Sequence, residues 1–508
     1  MKQLASPAMV TAVWCTLFCY VAVVLFFVIR GALRTKNMAD YALGSMHFSP
    51  GLVGLSLAAS MSSAATFIIN PGFVAYYGLS GFLSMGIFLP IGSLVSLAIL
   101  SRRFRKFGQV VNARTIAQWM GNRYGSKGFA LYFGFLTFLM IAFIVLICVG
   151  LTQIISKSLN LEVFPTLIGV VAFTFTYMMF GGANSMVYTN TIQAILKIIV
   201  AIIFITSGYS YFESGLNGFF AQLKAVDPAL TQPFNAASPL FRDAFEVIAC
   251  QIIVGVAIIC QPHILTKSLL LKNDKDLNKF LTVAITVQAL FFFVVFAGLY
   301  ARLFFPDLTV NGNKIPLDGI MSAFVVGRFP VYIAIILVLG MISAGMSTLE
   351  GLIQSISTTV TSDILKPLTG NTIIRSEDGS KGLISELLLN RLIIVLLAIV
   401  STWLSYRQIQ HPDLSVGIFA QNGVYAYFSA AFVPVLFGIF LKEVPALVPA
   451  AASITALLTH FGVYYLRLTP YMEAGTRNPG IASALAIIAS LTVGTLLYFV
   501  MKPKKQLA

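Results

Sequence analysis

Apolar segments of membrane-spanning length follow one another along almost the whole chain. A helix needs about 20 mostly apolar residues to cross a bilayer, and by that rule the sequence predicts thirteen spans. Only 10% of the residues are charged, whereas a soluble protein carries about 25%. We therefore expect an all-α polytopic membrane protein. The predicted span cores are 8–30, 50–77, 80–101, 127–155, 163–181, 187–212, 243–265, 280–304, 330–360, 387–406, 414–440, 444–466 and 479–501.

The basic residues are divided unevenly between the two sets of loops. The net charge of +15 would suggest a nucleic-acid partner in a soluble protein, but lysines and arginines of membrane proteins collect in cytoplasmic loops. Most of them follow spans 1, 3, 7, 9 and 11 or lie in the tail. This pattern predicts a multi-pass protein of the cytoplasmic (inner) membrane, with the N-terminus outside and the C-terminus in the cytoplasm. Its expected partners are the lipid bilayer and a small solute, not nucleic acid.

Two of the predicted spans contain helix-breaking residues near their middle. The second, GLVGLSLAASMSSAATFIINPGFVAYYG (51–78), has a run of small and hydroxylated residues and then Asn70-Pro71-Gly72. The seventh contains Gln261-Pro262-His263. Proline and glycine interrupt the helical hydrogen-bond ladder, and a broken helix at membrane depth survives only where it faces protein or a watery cavity.

The spacing of the two interrupted spans divides the chain into repeats. Five spans separate their starts, which predicts two five-helix repeats, and an odd number of helices per repeat places the second repeat inverted in the membrane. This arrangement is typical of secondary transporters that work by alternating access. The predicted divisions are an N-terminal helix with its loop (1–49), a first repeat (50–212), a second repeat (241–440), and two C-terminal helices with a basic tail (441–508).

A polar cluster lies in the ninth span, within GMISAGMSTLEGLIQ (340–354). Ala344, Ser347 and Thr348 share one helical face because residues three and four apart are neighbours. One carbonyl and two hydroxyls there, with carbonyls freed near Ala59 and Ser62 where span 2 breaks, could supply the five or so oxygens that Na⁺ needs. The alternatives are that both hydroxyls bond to their own helix, or that small residues ease helix packing.

Several motifs resemble those of the sodium/solute symporter family. AGMSTLEG (344–351) followed by TSDILK (361–366), FGGANSMVYTNTIQA (180–194), CQPHILTK (260–267) and ASMSSAATFIINPG (59–72) carry the resemblance. It implies a leucine-transporter-type fold with one extra N-terminal and two extra C-terminal helices. It also implies one Na⁺ site, formed by carbonyls of Ala59, Ser62 and Ala344 and hydroxyls of Ser347 and Thr348.

The sequence departs from the family pattern at two places. Asn190 stands where many members have aspartate, and Glu350 stands where some members use serine in a second sodium site. Lys197 lies two helical turns after Asn190, on the same face. Glu350 could neutralise a second cation, pair with Lys197, titrate as a proton carrier, or reach a watery vestibule. Because the aspartate is missing, we expect one Na⁺ per solute.

The resemblance also indicates where a solute would bind. The candidate solute-binding residues are Met61, Ser63, Thr66, Gln251, Val254, Ile258, Gln421 and Asn422. Sugar-carrying members have charged and amide residues where Ala65 and Thr66 stand, and proline carriers have tryptophan and tyrosine where Val254 and Ile258 stand. The loop KNDKDLNK (272–279) resembles pantothenate and monocarboxylate carriers, which favours a small organic anion over an amino acid or a sugar.

These observations predict a Na⁺-coupled secondary active symporter, with Na⁺ as the co-transported ion. A proton-coupled symporter using Glu350, and a membrane sensor without transport activity, are the alternatives. We expect no enzymatic activity, catalytic residue or organic cofactor, because the sequence has no nucleotide-binding, zinc-binding or triad motif. A monomer is the expected functional unit.

Overall fold

The computed structural model describes residues 5–45, 48–111, 113–271, 273–310, 312–369, 374–375, 382–411, 415–472 and 477–501. The basic tail at 502–508, Lys272 of the KNDKDLNK loop and part of the loop at 370–381 lie outside the described residues. Nearly all of the described chain is helical, as the fold-class prediction requires.

The α-helices are α1 (Pro7–Ala32), α2 (Met38–Leu43), α3 (Pro50–Met61), α4 (Asn70–Tyr77), α5 (Leu79–Phe82), α6 (Leu89–Val111), α7 (Ile116–Tyr124), α8 (Lys127–Leu136), α9 (Ile141–Leu159), α10 (Val163–Thr206), α11 (Gly215–Val226), α12 (Gln251–Ile258), α13 (Pro262–Leu265), α14 (Leu277–Phe293), α15 (Ala297–Phe304), α16 (Ile320–Arg328), α17 (Val331–Thr359), α18 (Lys366–Thr369), α19 (Glu386–Gln410), α20 (Val416–Phe440), α21 (Leu447–Leu466) and α22 (Pro479–Met501).

Shorter segments join or extend these helices. The π-helical segments are Ala65–Ile69, Leu83–Phe88, Phe245–Cys250 and Val360–Leu365. The 3₁₀ segments are Thr137–Met140, Tyr209–Phe212, Pro228–Thr231, Thr266–Leu270, Asp274–Asp276, Val294–Phe296, Leu317–Gly319 and Pro470–Met472. Two small sheets lie in loops: β1 (Thr309–Val310) pairs antiparallel with β2 (Asn313–Lys314), and β3 (Ile374–Arg375) pairs parallel with β4 (Ile384–Ser385).

Within the described residues, ten helices are long and apolar enough to cross a membrane, and two bent helix pairs add to them. This confirms a polytopic membrane protein. One of the ten, Val163–Phe212, contains 50 residues, about twice the length that a bilayer needs. Gly182 lies inside it with φ 59° and ψ −157°, a conformation that glycine adopts without steric cost. Gly182 falls between predicted spans 5 and 6; the total of thirteen spans stays a prediction.

The two bent pairs are the predicted interrupted spans. The first broken helix, Pro50–Tyr77, bends by 56°, and the second, running from Phe245 to Leu270, bends by 58°. The second breaks where predicted, at Gln261, which has an extended backbone (φ −65°, ψ 140°) just before Pro262.

The first break lies beside Ala59 and Ser62, where we expect the freed carbonyls, and not at Asn70-Pro71-Gly72. The chain becomes extended at Ser62 (φ −96°, ψ 108°), directly after α3. The π-helical segment Ala65–Ile69 is closed by a hydrogen bond from the Asn70 N–H to the Ala65 carbonyl oxygen. Pro71 follows in the first turn of α4. Proline has no backbone N–H, but in the first turn of a helix the N–H groups have no acceptor within the helix, so nothing is lost there. The small residues at 62–64, not the proline, therefore form the break.

Close helix crossings hold the core around this break. Helix α17 packs along α10 and also contacts α3 and α9. A Cβ on Gly340 of α17 would overlap the Val200 side chain of α10, so the two backbones lie as close as a glycine allows, as membrane helices often do. Lys197 lies one turn before Val200, and Ser347 lies two turns after Gly340. The crossing therefore brings these two side chains to the same level of the bundle.

Candidate functional site

The break in the first broken helix frees backbone carbonyls, and hydroxyls from α17 reach them. Ser347 Oγ lies 2.8 Å from the carbonyl oxygen of Ala59. Thr348 Oγ1 lies 2.9 Å from the carbonyl oxygen of Ser60 and 3.5 Å from that of Ser62. All five residues are fully buried. The structure thus brings the break and the serine-threonine pair together, although they are almost 290 residues apart in the sequence.

Ala344, the remaining predicted ligand, completes this group. Its carbonyl oxygen lies 3.2 Å from Ser347 Oγ, one turn along the same helix. The hydroxyl of Ser347 therefore lies between a carbonyl of its own helix and one of the broken helix. All five residues predicted to hold Na⁺ lie together, and the assignment of the ion to them stays a prediction.

The Lys197 side chain enters this group of oxygens. Its Nζ donates to the carbonyl oxygens of Ala59 (2.7 Å) and Ser62 (2.9 Å). It also lies 2.9 Å from Ser62 Oγ and 2.9 Å from Ser347 Oγ. The Phe291 ring closes one side, with its centroid 5.5 Å from Nζ, and Lys197 is fully buried. The ammonium thus contacts four oxygens, three of which are predicted Na⁺ ligands.

Glu350 lies in a separate network formed mainly by α10. Its Oε1 accepts from the Tyr177 hydroxyl (2.6 Å) and from Gln193 Nε2 (3.0 Å), and its Oε2 accepts from the Thr189 hydroxyl (2.7 Å). Three donors offset part of the cost of burying a carboxylate. Neither the contacts of Glu350 nor those of Lys197 include the other residue, so the direct ion pair that the sequence left open is not formed.

Asn190 links the Glu350 network to the first broken helix. In the amide orientation that satisfies its neighbours, it donates to Glu350 Oε2 (3.2 Å) and accepts from Lys267 Nζ (3.2 Å). Lys267 also donates to Ser56 Oγ (3.0 Å) on α3. Two buried lysines and one buried carboxylate therefore lie around the first break, on α10, on the second broken helix and on α17.

Sequence reasoning missed Lys267 and Tyr177. Lys267 belongs to the CQPHILTK motif, but we counted it with the cytoplasmic loop because it follows a proline and a predicted span end. In the structure it is buried, because the second broken helix turns back into the bundle after Pro262. Tyr177 carried no motif signal, since its role depends on the bend at Gly182, which folds the first half of α10 against the second.

The candidate solute residues fall into two groups. Ser63 and Thr66 are buried and Met61 is half-buried, directly beside the first break. Val254 is buried, and Ile258 and Gln421 are half-buried on α12 and α20. These positions surround the bundle interior from three helices.

Asn422 and Gln251 lie toward the C-terminal helices. Asn422 Nδ2 donates to the Tyr465 hydroxyl (3.0 Å), and its Oδ1 lies 3.0 Å from His460 Nε2. Gln251 Nε2 lies beside Gly480 of α22. An amide at membrane depth takes the polar partner that packing offers, and here α21 offers one to Asn422. The amide of Asn422 is therefore hydrogen-bonded to α21, and its contact with a solute stays a prediction.

Two broken helices that expose oxygens at membrane depth, inside an all-α bundle, define a secondary transporter of the alternating-access class. The chain belongs to the Sodium:solute symporter family, whose sequence model matches residues 41–447. This confirms the family predicted from the motifs, gives the chain a place among transporters, and agrees with Na⁺ as the co-transported ion.

Individual relatives carry different solutes. The chain is 27% identical over 356 residues to the sodium/pantothenate symporter of Escherichia coli (strain K12), covering 67% of this chain and 70% of that protein. It is 26% identical over 442 residues to the sodium/proline symporter of Haemophilus influenzae, covering 84% and 83%. A sodium/sialic acid symporter of Aliivibrio fischeri is 24% identical over 376 residues, or 70% of each chain.

Solved structures show the same fold. A Na⁺-coupled sialic acid symporter in a substrate-bound, outward-open state superposes with a TM-score of 0.75 at 17% identity, covering 98% of this chain and 99% of that one. The manganese transporter of Eremococcus coleocola superposes with a TM-score of 0.55 at 12% identity, covering 92% and 99%. The leucine-transporter-type fold predicted from the resemblance is confirmed.

Proposed function

We propose that this protein is a Na⁺-coupled secondary active symporter that imports a small organic anion, such as pantothenate or a monocarboxylate, by alternating access. The observation that carries the proposal is the meeting of Ser347 and Thr348 with the carbonyls freed at residues 59–62. Side-chain hydroxyls and unwound carbonyls are the ligands that transporters of this architecture offer to Na⁺. Ala59, Ser62, Ala344, Ser347 and Thr348 would hold one ion per solute.

The ion site can couple to the solute because both use the same break. Ser63 lies next to the ion ligand Ser62, and its Oγ accepts from the Ala65 N–H (3.0 Å) at the start of the second half of the broken helix. The N-terminal end of a helix carries partial positive charge, which favours an anionic solute beside Met61, Ser63 and Thr66. Closing the break around Na⁺ would fix this surface.

Two further observations support the choice of solute. Two sodium/pantothenate symporters, of E. coli and H. influenzae, are among the relatives. Val254 and Ile258 stand where the resemblance places the aromatic residues of proline carriers, and Ala65 and Thr66 stand where it places the polar residues of sugar carriers. The orientation (N-terminus outside), the divisions at 50–212 and 241–440, and a monomeric functional unit belong to the same proposal.

Uptake into proteoliposomes tests this proposal. Purified protein would be given radiolabelled pantothenate, lactate, proline and sialic acid, under an inward Na⁺ gradient and under an equal choline gradient. We expect pantothenate or lactate to accumulate only with Na⁺. Accumulation driven by a pH gradient and insensitive to Na⁺ would favour proton coupling through Glu350, and binding without uptake of any compound would favour a sensor.

A further inference from the structure

The place of Lys197 gives the ion site a property that the family resemblance does not supply. We propose that the Lys197 ammonium is a tethered cation that competes with Na⁺ for this site, so that the two hold the same oxygens in alternation. The inference rests on the proposed ion site and deepens it. It concerns how the site is filled, not which solute is carried.

The Lys197 ammonium and Na⁺ would contact the same oxygen atoms. Nζ of Lys197 lies 2.7 Å from the Ala59 carbonyl oxygen, and 2.9 Å from both the Ser62 carbonyl oxygen and Ser347 Oγ. These are three of the five proposed ligands, and they include at least one from each helix that forms the site. An ion placed among them would lie within contact distance of the ammonium, and two like charges at that distance repel strongly inside a protein.

Among the described residues, no carboxylate contacts the Lys197 ammonium directly. Glu350 of the packed helix α17 is instead hydrogen-bonded by Tyr177, Thr189 and Gln193. Lys267, the other buried ammonium nearby, donates to Ser56. A buried charge needs close compensation, and the oxygens of the ion site provide it for Lys197. The same oxygens would compensate the charge of a bound Na⁺ ion.

The ammonium bridges the first broken helix and α17, since it contacts Ala59 and Ser62 on one side and Ser347 on the other. A Na⁺ ion at this place would make the same bridge. Lys197 therefore holds the break closed without an added ion, and Na⁺ gains access only when the lysine side chain withdraws. We expect the wild-type protein to need much more Na⁺ than a variant that lacks this ammonium.

The test is Na⁺ binding by the purified full-length protein in detergent, followed as thermal stabilisation when NaCl replaces choline chloride. Lys197→Met removes the charge and keeps a long side chain. We expect its half-saturating Na⁺ concentration to be at least about tenfold lower than that of the wild type, equivalent to about 1.4 kcal/mol. Lys197→Arg keeps a cation, and we expect it to respond to Na⁺ as weakly as the wild type.

A matched control is Lys157→Met. Lys157 lies in the last turn of α9, and its Nζ donates to the Gly319 carbonyl oxygen (3.1 Å), which is not one of the five proposed ion ligands. This variant should respond to Na⁺ like the wild type. Adding Ser347→Ala to Lys197→Met should remove the gained response, which assigns it to this site.

Three results would overturn the inference: equal Na⁺ responses of the wild type and Lys197→Met, a stronger response of Lys197→Arg than of Lys197→Met, or no response in any variant. If Lys197→Met does not fold, Lys197→Gln gives the same comparison with a polar, uncharged side chain. Because the readout is ion binding, it is independent of whether the solute has been identified. Failure of uptake in proteoliposomes with a positive Na⁺ titration would instead count against the proposed solute.

Discussion

The breaks in the two broken helices differ in how their polar groups are hydrogen-bonded. At the first, the freed carbonyls of Ala59 and Ser62 are contacted by Lys197, and Ser347 and Thr348 reach the same stretch. At the second, Gln261 Oε1 and both ring nitrogens of His263 make no hydrogen bond within the described residues, although they are buried.

The surroundings of the second break add to this contrast. His263 lines a small cavity of about 20 Å³, together with Thr266, Lys267 and Gln354. A buried polar group without a partner is costly. Among the described residues, the first break is bridged by an ammonium and hydroxyls, whereas the polar side chains at the second break make fewer such bonds. We expect the first break to hold the ion and the second to change its contacts during transport.

The largest effect should come from removing the hydroxyls at the first break. Ser347→Ala together with Thr348→Ala removes two ion ligands and both side-chain links between α17 and residues 59–62. We expect the Na⁺ concentration for half-maximal uptake to rise by about 100-fold or more, since each lost hydrogen bond to a charge costs about 1.5–3 kcal/mol. The measurement is initial uptake rate against Na⁺ concentration in proteoliposomes.

Ser355→Ala is the matched control for that double variant. Ser355 lies two turns further along α17, and its Oγ donates only to the Gly351 carbonyl oxygen of its own helix (2.6 Å). Its Na⁺ dependence should equal that of the wild type. A double variant with wild-type Na⁺ dependence would mean that the first break does not hold the ion, and the contrast between the breaks would lose its functional meaning.

The residues of this site show how far sequence reasoning reaches. The ligands at 59, 62, 344, 347 and 348 could be named because helical spacing puts 344, 347 and 348 on one face and the family motif supplies the rest. The freed carbonyls near Ala59 and Ser62 could also be predicted. That Asn70-Pro71-Gly72 leaves the helix unbroken could not, because proline is a strong breaker in isolation, and only the structure shows that Pro71 lies in the first turn of α4, where no donor is needed.

Contacts between distant helices were the other limit. The sequence places Lys197 on the Asn190 face, which is a statement about neighbouring turns, and offers Glu350 of another span as its partner without fixing how the two spans pack. Its contact with Ala59 depends on how closely α10 and α17 cross at Gly340 and on where α3 ends. In the same way, the bond between Asn422 and His460 depends on where α21 packs, and no local pattern encodes that.

The second prediction tests whether the network behind the first break stabilises it. Glu350→Gln removes the negative charge that lies among Lys197, Lys267 and three donors, and an amide nitrogen there faces other donors. We expect the free energy of unfolding to fall by about 1–3 kcal/mol, seen as a lower midpoint in thermal denaturation of the purified protein. Glu162→Gln, at the exposed start of α10, should leave the midpoint unchanged. Equal midpoints for both variants would show that the Glu350 charge is not needed.

The smallest effect should come from the second break. His263→Phe keeps a ring beside Phe143, whose centroid lies 6.1 Å away, and loses no hydrogen bond that the structure contains. We expect the free energy of unfolding to change by less than about 1 kcal/mol. Ser62→Ala at the first break is its counterpart, since it removes an acceptor from Lys197 and should cost more. Thermal denaturation of both variants decides the order, and a larger loss for His263→Phe would reverse our view of the two breaks.

The bend at Gly182 has a consequence for the end of the helix bundle at which α2 lies. The short helix α2 sits in the notch that the bend creates, so that any Cβ at position 182 would press against the backbone of Tyr41. The Tyr41 hydroxyl donates to the Met178 carbonyl oxygen (3.0 Å), and its own carbonyl accepts from Gln354 Nε2 of α17 (2.8 Å).

Helix α2 therefore joins the bend of α10 to the C-terminal part of α17, the helix that carries Ser347 and Thr348. Separating α10 from this part of α17 would require the contacts of α2 with both helices to break first. A side chain at position 182 would displace α2 and would therefore favour the form in which α10 and α17 lie apart, although the proposed ion ligands themselves are unchanged.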